Sequence, residues 1–371
     1  MFPVMKKASR WNGYIFCLLL GGMFLFSLPQ LYTFAHQEED AVGLYMDGEL
    51  SRKFEKSYDK DFFIRDASIE LWASLQYLIF NEGSSGVVMG KDAWLYTNEE
   101  YLMPVDAETV VSRHIDRIKS VRQELSRLGK RLIVIPVPMK VDIYVEHTVV
   151  QPHPLITRLY DDFIIELHSA GIEVAPVREA MISNKDKGQM FLVSDTHWTP
   201  QGAKVTAVEV ARQFPDLIGS QAFITQKVSD KLYPGDLLNF IKASQFIVKN
   251  RYRGDSIEIF ETSRLNDTID ESRLFDDAPE QIALVGSSYT EIDDWNFPGF
   301  LMEALQQDVV AKAVKAEGPF KAMESFLASD LPASEGIQNV LWEFPVRTLL
   351  SEKEKRANWQ ENMDEIFSAS L

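Results

Sequence analysis

No charged residue interrupts the chain from Trp11 to Ala35, and the middle of that run reads Tyr14-Ile15-Phe16-Cys17-Leu18-Leu19-Leu20. About 20 apolar residues cross a bilayer as a helix. Lys6, Lys7 and Arg10 precede the run, and Glu38, Glu39 and Asp40 follow it. This asymmetry predicts a cytoplasmic N-terminus over 1–12, a transmembrane signal anchor over 13–35 and an exported remainder. The alternative is a cleaved signal peptide with Ile15 to Ser27 as its core and Thr33-Phe34-Ala35 as its cleavage site. Leu31, Tyr32 and Phe34 make that site a poor one. Residues 36–80 read as a connecting segment that ends in a helix from Ile69 to Phe80.

From residue 81 the pattern changes to short apolar runs separated by amphipathic ones. Gly86 to Tyr96 reads as a strand, a turn at Gly90 to Asp92 and a second strand. Val110, Ile115, Ile118, Val121, Leu125 and Leu128 fall at helical spacing, with Gly129 as a stop. Arg131 to Pro138 is a buried strand, Leu155 to Ala170 a helix and Ile172 to Pro176 a strand. Met190-Phe191-Leu192-Val193 reads as a further strand, and Thr199 as the cap of a helix that has Pro200 at its first position and runs to about Phe214. Phe246 to Val248 and Ile257 to Phe260, flanking Gly254-Asp255, suggest a hairpin. Gln281 to Val285 is a strand, Leu301 to Val314 and Phe320 to Leu327 are helices, and Val340 to Phe344 is a last strand. Strands alternating with helices predict a three-layer α/β/α domain over 81–371 with a mostly parallel sheet. Ligands in such sheets bind beyond the C-terminal strand ends.

The single cysteine, Cys17, lies in the apolar run, so the exported part has no disulfide, thiolate metal site or thiol nucleophile. Six histidines without an H-x-x-x-H pair offer no zinc motif. A net charge of −17 argues against nucleic acid as a partner and provides no general attraction for a polyanion.

Two short stretches carry the chemistry. Ser194-Asp195-Thr196-His197-Trp198 puts a carboxylate and an imidazole two residues apart, so both point one way in extended backbone. Leu284-Val285-Gly286-Ser287-Ser288-Tyr289 puts serines on a turn after an apolar strand. A serine hydroxyl becomes a nucleophile when a base takes its proton and an acid orients the base. Ser288 as nucleophile, His197 as base and Asp195 as orienter satisfy this, in an order that unrelated folds also vary. Ser287 is the rival nucleophile, and Gly286 and Ser287 are candidates for shaping the turn and the oxyanion site. The alternative is that Asp195 caps a turn and His197 lies on the surface. Lys140 and Tyr144, with Asp142 between them, could bind sugar hydroxyls or form a solvated loop. Trp198 and Tyr289 are aromatic candidates for substrate contact, although buried tryptophan is commoner. Asp236, in Tyr233-Pro234-Gly235-Asp236-Leu237-Leu238, reads as a charge at a helix start.

Together these blocks resemble the alginate O-acetyltransferase proteins of the AlgJ/AlgX type, over roughly residues 80 to 350. The resemblance also includes Gly90-Lys91-Asp92-Ala93-Trp94-Leu95, Pro136-Val137-Pro138-Met139-Lys140 and Leu341-Trp342-Glu343-Phe344-Pro345. It implies an SGNH-hydrolase-like domain, with the acid–base pair ahead of the serine as if permuted. It implies acetyl transfer to hydroxyls of an alginate-like exopolysaccharide in the bacterial periplasm, with the domain held at the inner membrane. The acetyl donor would be relayed by a membrane-bound O-acyltransferase, and no metal or cofactor is required. Members usually carry glycine where Ala93 stands. No carbohydrate-binding domain is expected after residue 350. The alternatives are a carbohydrate acetylesterase with the same triad, and a non-catalytic polysaccharide-binding subunit of an export complex.

Overall fold

The computed structural model describes residues 3–37, 41–62, 65–80, 82–265, 281–315 and 318–351. The expectation about residues after 350 falls on 352–371, outside this set. Two units separate, Met1–Ser74 and Leu75–Leu371.

In the first unit, helix α1 (Pro3–Gln37) contains the uncharged run. Its segment Arg10–His36 has a mean hydropathy of 1.8 and none of it is buried, so by length and composition it can cross a membrane. Helices α2 (Ala41–Met46) and α3 (Glu49–Asp61) follow. Phe54 and Tyr58 recur at helical spacing, and the stripe continues to Phe62. Phe54 meets Phe34, while Tyr58 and Phe62 both meet Phe26. Helix α4 (Arg65–Phe80) carries the boundary between the units.

The second unit is built on a five-stranded parallel sheet. Its elements are β1 (Val87–Met89), β2 (Leu95–Thr97), α5 (Ala107–Arg127), β3 (Arg131–Val137), α6 (Lys140–Ile143), α7 (Pro154–Ser169), β4 (Glu173–Val174), α8 (Arg178–Asn184) and α9 (Pro200–Gln213). After these come β5 (Phe223–Tyr233), α10 (Gln245–Arg251), β6 (Asp255–Arg264), β7 (Gln281–Gly286), α11 (Ser288–Glu291), α12 (Phe297–Leu305), β8 (Asp308–Ala313), α13 (Lys321–Leu327) and β9 (Ile337–Pro345). The sheet order is β4-β3-β9-β7-β8, with every pairing parallel. Successive residues of a strand face opposite sides. Leu132 to Val137 and Ile282 to Gly286 are buried without alternation, so helices cover both faces. This is the three-layer α/β/α arrangement that the pattern predicted.

The β1–β2 hairpin turns where expected, with Asp92 and Ala93 both left-handed (φ 53° and 65°). Helix α9 starts as predicted: Pro200 is its first residue, and the Thr199 hydroxyl accepts the Gly202 N–H at 3.1 Å.

Three expectations fail. Phe246 to Val248 lies in α10, and the partner of β6 is β5, so the hairpin spans 223–264. A short apolar run fits helix and strand alike. The helix expected to run to Val314 stops at Leu305, because Gln306 takes a left-handed conformation (φ 51°). The β-branched Val309 and Val310 then join the sheet edge beside β7. Met190 to Val193 makes no strand, only one bridge between Phe191 and Trp198.

Candidate active site

The Asp-Thr-His segment lies on a loop, and buried side chains replace the ladder that a strand would have supplied. Asp255, at the start of β6, accepts the Val193 and Ser194 N–H groups at 2.8 and 3.1 Å and the Ser194 hydroxyl at 2.7 Å. Asp236 accepts the Thr196 N–H at 2.9 Å and its hydroxyl at 2.6 Å. Lys140 donates to the carbonyls of Leu95, Val193 and Asp195. The Tyr144 hydroxyl accepts the Met190 N–H at 2.8 Å. Buried backbone groups need partners, and these side chains provide them. A Cβ on Gly235 would stand 1.8 Å from the Ser194 carbonyl, so only glycine permits this approach.

Ser288 arrives from the sheet. Strand β7 ends at Gly286, and Ser287 caps the four-residue helix α11 with Ser288 at its first position. The His197 Nε2 is 2.8 Å from the Ser288 Oγ, and its Nδ1 is 2.6 Å from the Asp195 Oδ1. An ionised carboxylate only accepts, so Nδ1 carries the proton and Nε2 has a lone pair for the serine. The imidazole packs against the rings of Tyr289 and Trp295, at centroid distances of 4.9 and 5.8 Å. Asp195 also accepts the backbone N–H groups of His197 and Asp236, at 2.9 and 2.7 Å. Burial alone would raise its pKa, but these donors, the imidazole first, hold it below the usual carboxylate range. Asp236 is pushed above that range by burial and then by the Asp195 charge, so it takes up a proton before Asp195 does.

The sequence reading gave no role to the most deeply buried acid at the site. Glu343 on β9 is fully buried. It accepts the Ser287 N–H at 2.9 Å, the Ser287 hydroxyl at 2.8 Å and the Thr290 hydroxyl at 2.7 Å. Its pKa is raised by burial, against these hydrogen bonds. The carboxylate thus clamps the turn from below. A Cβ on Gly286 would meet the Thr290 Oγ1 at 2.1 Å and the Glu343 Oε2 at 2.8 Å, so the turn needs glycine to close on that acid.

The clamp changes the oxyanion expectation. The Ser287 N–H is occupied by Glu343, whereas the Ser288 N–H, at a first helical position, has no intrahelical acceptor. Lys140, Tyr144, Trp198 and Tyr289 are also not where substrate contact requires them. All four are buried. The Lys140 ammonium is spent on three carbonyls, and burial lowers its pKa to about 8. Tyr144 tilts against Trp94 at 4.2 Å, and Trp198 packs on Tyr289 and Phe297 at 5.1 and 4.8 Å. The Tyr289 hydroxyl donates to the Thr196 carbonyl and accepts from Arg347. Lys140, Tyr144 and Tyr289 hold backbone of the Asp-Thr-His loop and its approach, and Trp198 packs in the core. The cleft itself, of about 340 Å³, is lined by His197, Ser287 and Ser288 together with Thr196, Asp236, Leu237, Phe240, Pro319 and Arg347.

Asp195, His197 and Asp236 could hold a metal ion by spacing, since one ligand atom from each lies within 4.8 Å of the others. Backbone N–H groups already point at both carboxylates, and an ion would compete with them. The donor set suits the imidazole better than a cation.

A parallel α/β/α sheet with a serine at a strand end, backed by an imidazole and a carboxylate, defines an SGNH-hydrolase-like domain. Comparison with known proteins agrees. The family model described as the SGNH hydrolase-like domain of the acetyltransferase AlgX matches residues 87–346. The probable alginate O-acetylase AlgJ of Pseudomonas syringae pv. tomato is 33% identical over 338 residues, covering 90% of this chain and 86% of that protein. Its counterpart in Pseudomonas aeruginosa is 31% identical over 360 residues, covering 93% and 91%. The solved O-acetyltransferase domain of Pseudomonas putida AlgJ is 32% identical with a TM-score of 0.67, covering 76% of this chain and 99% of that domain. The chain belongs to this family of SGNH hydrolase-like acetyltransferases.

Proposed function

We propose that the chain is an O-acetyltransferase that moves acetyl groups onto hydroxyls of an alginate-like exopolysaccharide through Ser288. The observation that carries this reading is the continuous relay from Asp195 through His197 to Ser288, open to a cleft. The Ser288 Oγ attacks the carbonyl carbon of the acetyl donor, and its proton passes to the His197 Nε2. The Ser288 N–H faces the developing oxyanion, a contribution of about 3 kcal/mol. Nε2 then protonates the leaving group, leaving an acetyl ester on Ser288. In the second half Nε2 takes the proton of the acceptor hydroxyl, that oxygen attacks the ester, and Ser288 recovers a proton from Nε2. Asp195 remains ionised and holds the Nδ1–H throughout.

The apolar stretch of α1 and the basic residues ahead of it support an inner-membrane anchor with the catalytic unit in the periplasm. That placement suits an acetyl donor relayed by a membrane-bound O-acyltransferase. The test uses the purified chain in neutral detergent with a soluble acetyl ester, with and without polymer. The acetyl group should appear on the polymer by mass spectrometry. Acetate release at an equal rate, with no polymer acetylation, would mark an esterase instead.

A further inference from the structure

We propose that residues 237–253 form a cationic arm that binds a polyanionic acceptor chain at the mouth of the catalytic cleft. The inference rests on the acetyltransferase reading above and names the surface along which its acceptor lies. The chain carries a net charge of −17, yet this stretch contains Lys242, Lys249, Arg251 and Arg253 and no acidic residue. All four side chains are exposed. Among the described residues none of them pairs with an acid, and Arg251 lies 5.5 Å from the centroid of the Tyr77 ring. Elsewhere the exposed cations of this unit are commonly neutralised, as in Lys227 with Asp230 and Glu258, or Lys231 with Asp294.

The net charge does not decide what such an arm binds. The Debye length is about 10 Å at 0.1 M salt, so more distant acids are screened. Helix α10 is seven residues long, about 10 Å, and it carries Lys249 and Arg251, with Lys242 shortly before its start and Arg253 just past its end. Phe246 is 77% exposed beside them, and Phe240 is 40% exposed at the cleft. Flat apolar rings next to cations suit a carboxylated sugar, whose C–H face is apolar and whose substituent is anionic.

The position of the arm favours a polymer over a membrane surface. Both of its ends are fixed to the Asp-Thr-His loop, through Asp236 on Thr196 and Asp255 on Ser194. Leu237 and Phe240 line the cleft itself. A ligand lying along the arm therefore runs on to Ser288.

The test measures binding by the full chain in neutral detergent, with Ser288→Ala so that turnover plays no part. A size-defined polyuronate, a neutral glucan and vesicles of anionic phospholipid are the probes. The polyuronate should bind, weaken as salt rises from 50 to 500 mM, and weaken at least 10-fold in the triple variant Lys242→Glu, Lys249→Glu, Arg253→Glu, whose melting temperature should stay within about 2 °C. Equal binding of the polyuronate by the triple variant would overturn the proposal. So would salt-independent binding that does not distinguish polyuronate from glucan, or binding of vesicles without binding of polyuronate. Because binding is read without turnover, a failure of the transferase reading would show separately, as absent acetylation by the wild-type chain.

Discussion

Glu343 provides the sharpest test of how Ser288 is held. Glu343→Ala leaves two hydroxyls and one N–H without their acceptor, in a place with no solvent access. Each buried unsatisfied group costs about 1 to 3 kcal/mol. Relief from burying a charge offsets part of this, so the loss should be about 3 to 6 kcal/mol. For a domain of this size it lowers the melting temperature by roughly 6 to 12 °C. Glu343→Gln keeps one accepting oxygen, and its amide can donate to the Ser287 oxygen, so it should cost only about 1 kcal/mol. Catalysis should suffer more than stability in the Gln variant. A misplacement of about 1 Å costs on the order of 100-fold in rate, so kcat with a soluble acetyl ester should fall about 10- to 100-fold while KM holds. The pH dependence follows from the raised pKa of Glu343. Between the ordinary glutamate value and the raised one, the folded state holds a proton that the unfolded chain has released. Stability therefore falls as pH rises through that window. Glutamine cannot titrate, so the gap between wild type and Glu343→Gln should be widest in acid and narrow as pH rises. Melting curves across pH with matched kinetics measure all of this. A Glu343→Ala chain that melts within 1 °C of wild type with unchanged kcat would refute the clamp.

Three further outcomes are expected. Ser288→Ala should abolish cleavage of p-nitrophenyl acetate and the adduct with a serine-directed sulfonyl fluoride, whereas Ser287→Ala should reduce the rate and keep the adduct; an adduct mapped to Ser287 would reverse the assignment. Asp236→Ala frees both Thr196 donors and should lower kcat roughly 10- to 100-fold, while Asp236→Asn, which can still accept the Thr196 N–H, should recover most of it; equal losses would point to the charge rather than the loop geometry. Ala93→Gly removes left-handed strain of about 1 to 2 kcal/mol and adds unfolded-state entropy worth about 0.4 to 1 kcal/mol, so calorimetry should show a melting temperature higher by about 1 to 2 °C.

Much of this fold was legible because burial on both faces leaves long apolar runs, as in Leu132 to Val137 and Ile282 to Val285. The turn of α12 into β8 was hidden, because a left-handed Gln306 has no signature in sequence. The strand expected at Met190 to Val193 failed for a different reason. Much of its hydrogen bonding goes to the side chains of Asp255, Lys140 and Tyr144, 46 to 62 positions away. The same long-range pairing explains why Asp195, His197 and Ser288 could be picked out while their supports could not. A reacting trio announces itself through short motifs. Glu343 and Asp236 act only through a neighbour that folding brings to them. The run Val340-Leu341-Trp342-Glu343-Phe344 held a signal, since a glutamate within an otherwise apolar strand must find donors.

The sheet order has a consequence for when the enzyme comes into being. Strand β9, the last strand among the described residues, occupies the middle of the sheet between β3 and β7. Sequential strands are usually neighbours, and here the final one is the keystone. Until residues 337–345 emerge, β4-β3 and β7-β8 share no pairing, and the turn bearing Ser288 has no acid beneath it. A nascent or truncated chain therefore holds the reactive residues without their arrangement. Such late, long-range closure makes folding slow. It also leaves Ser288 without the Glu343 carboxylate that holds its turn until the chain has been made through β9.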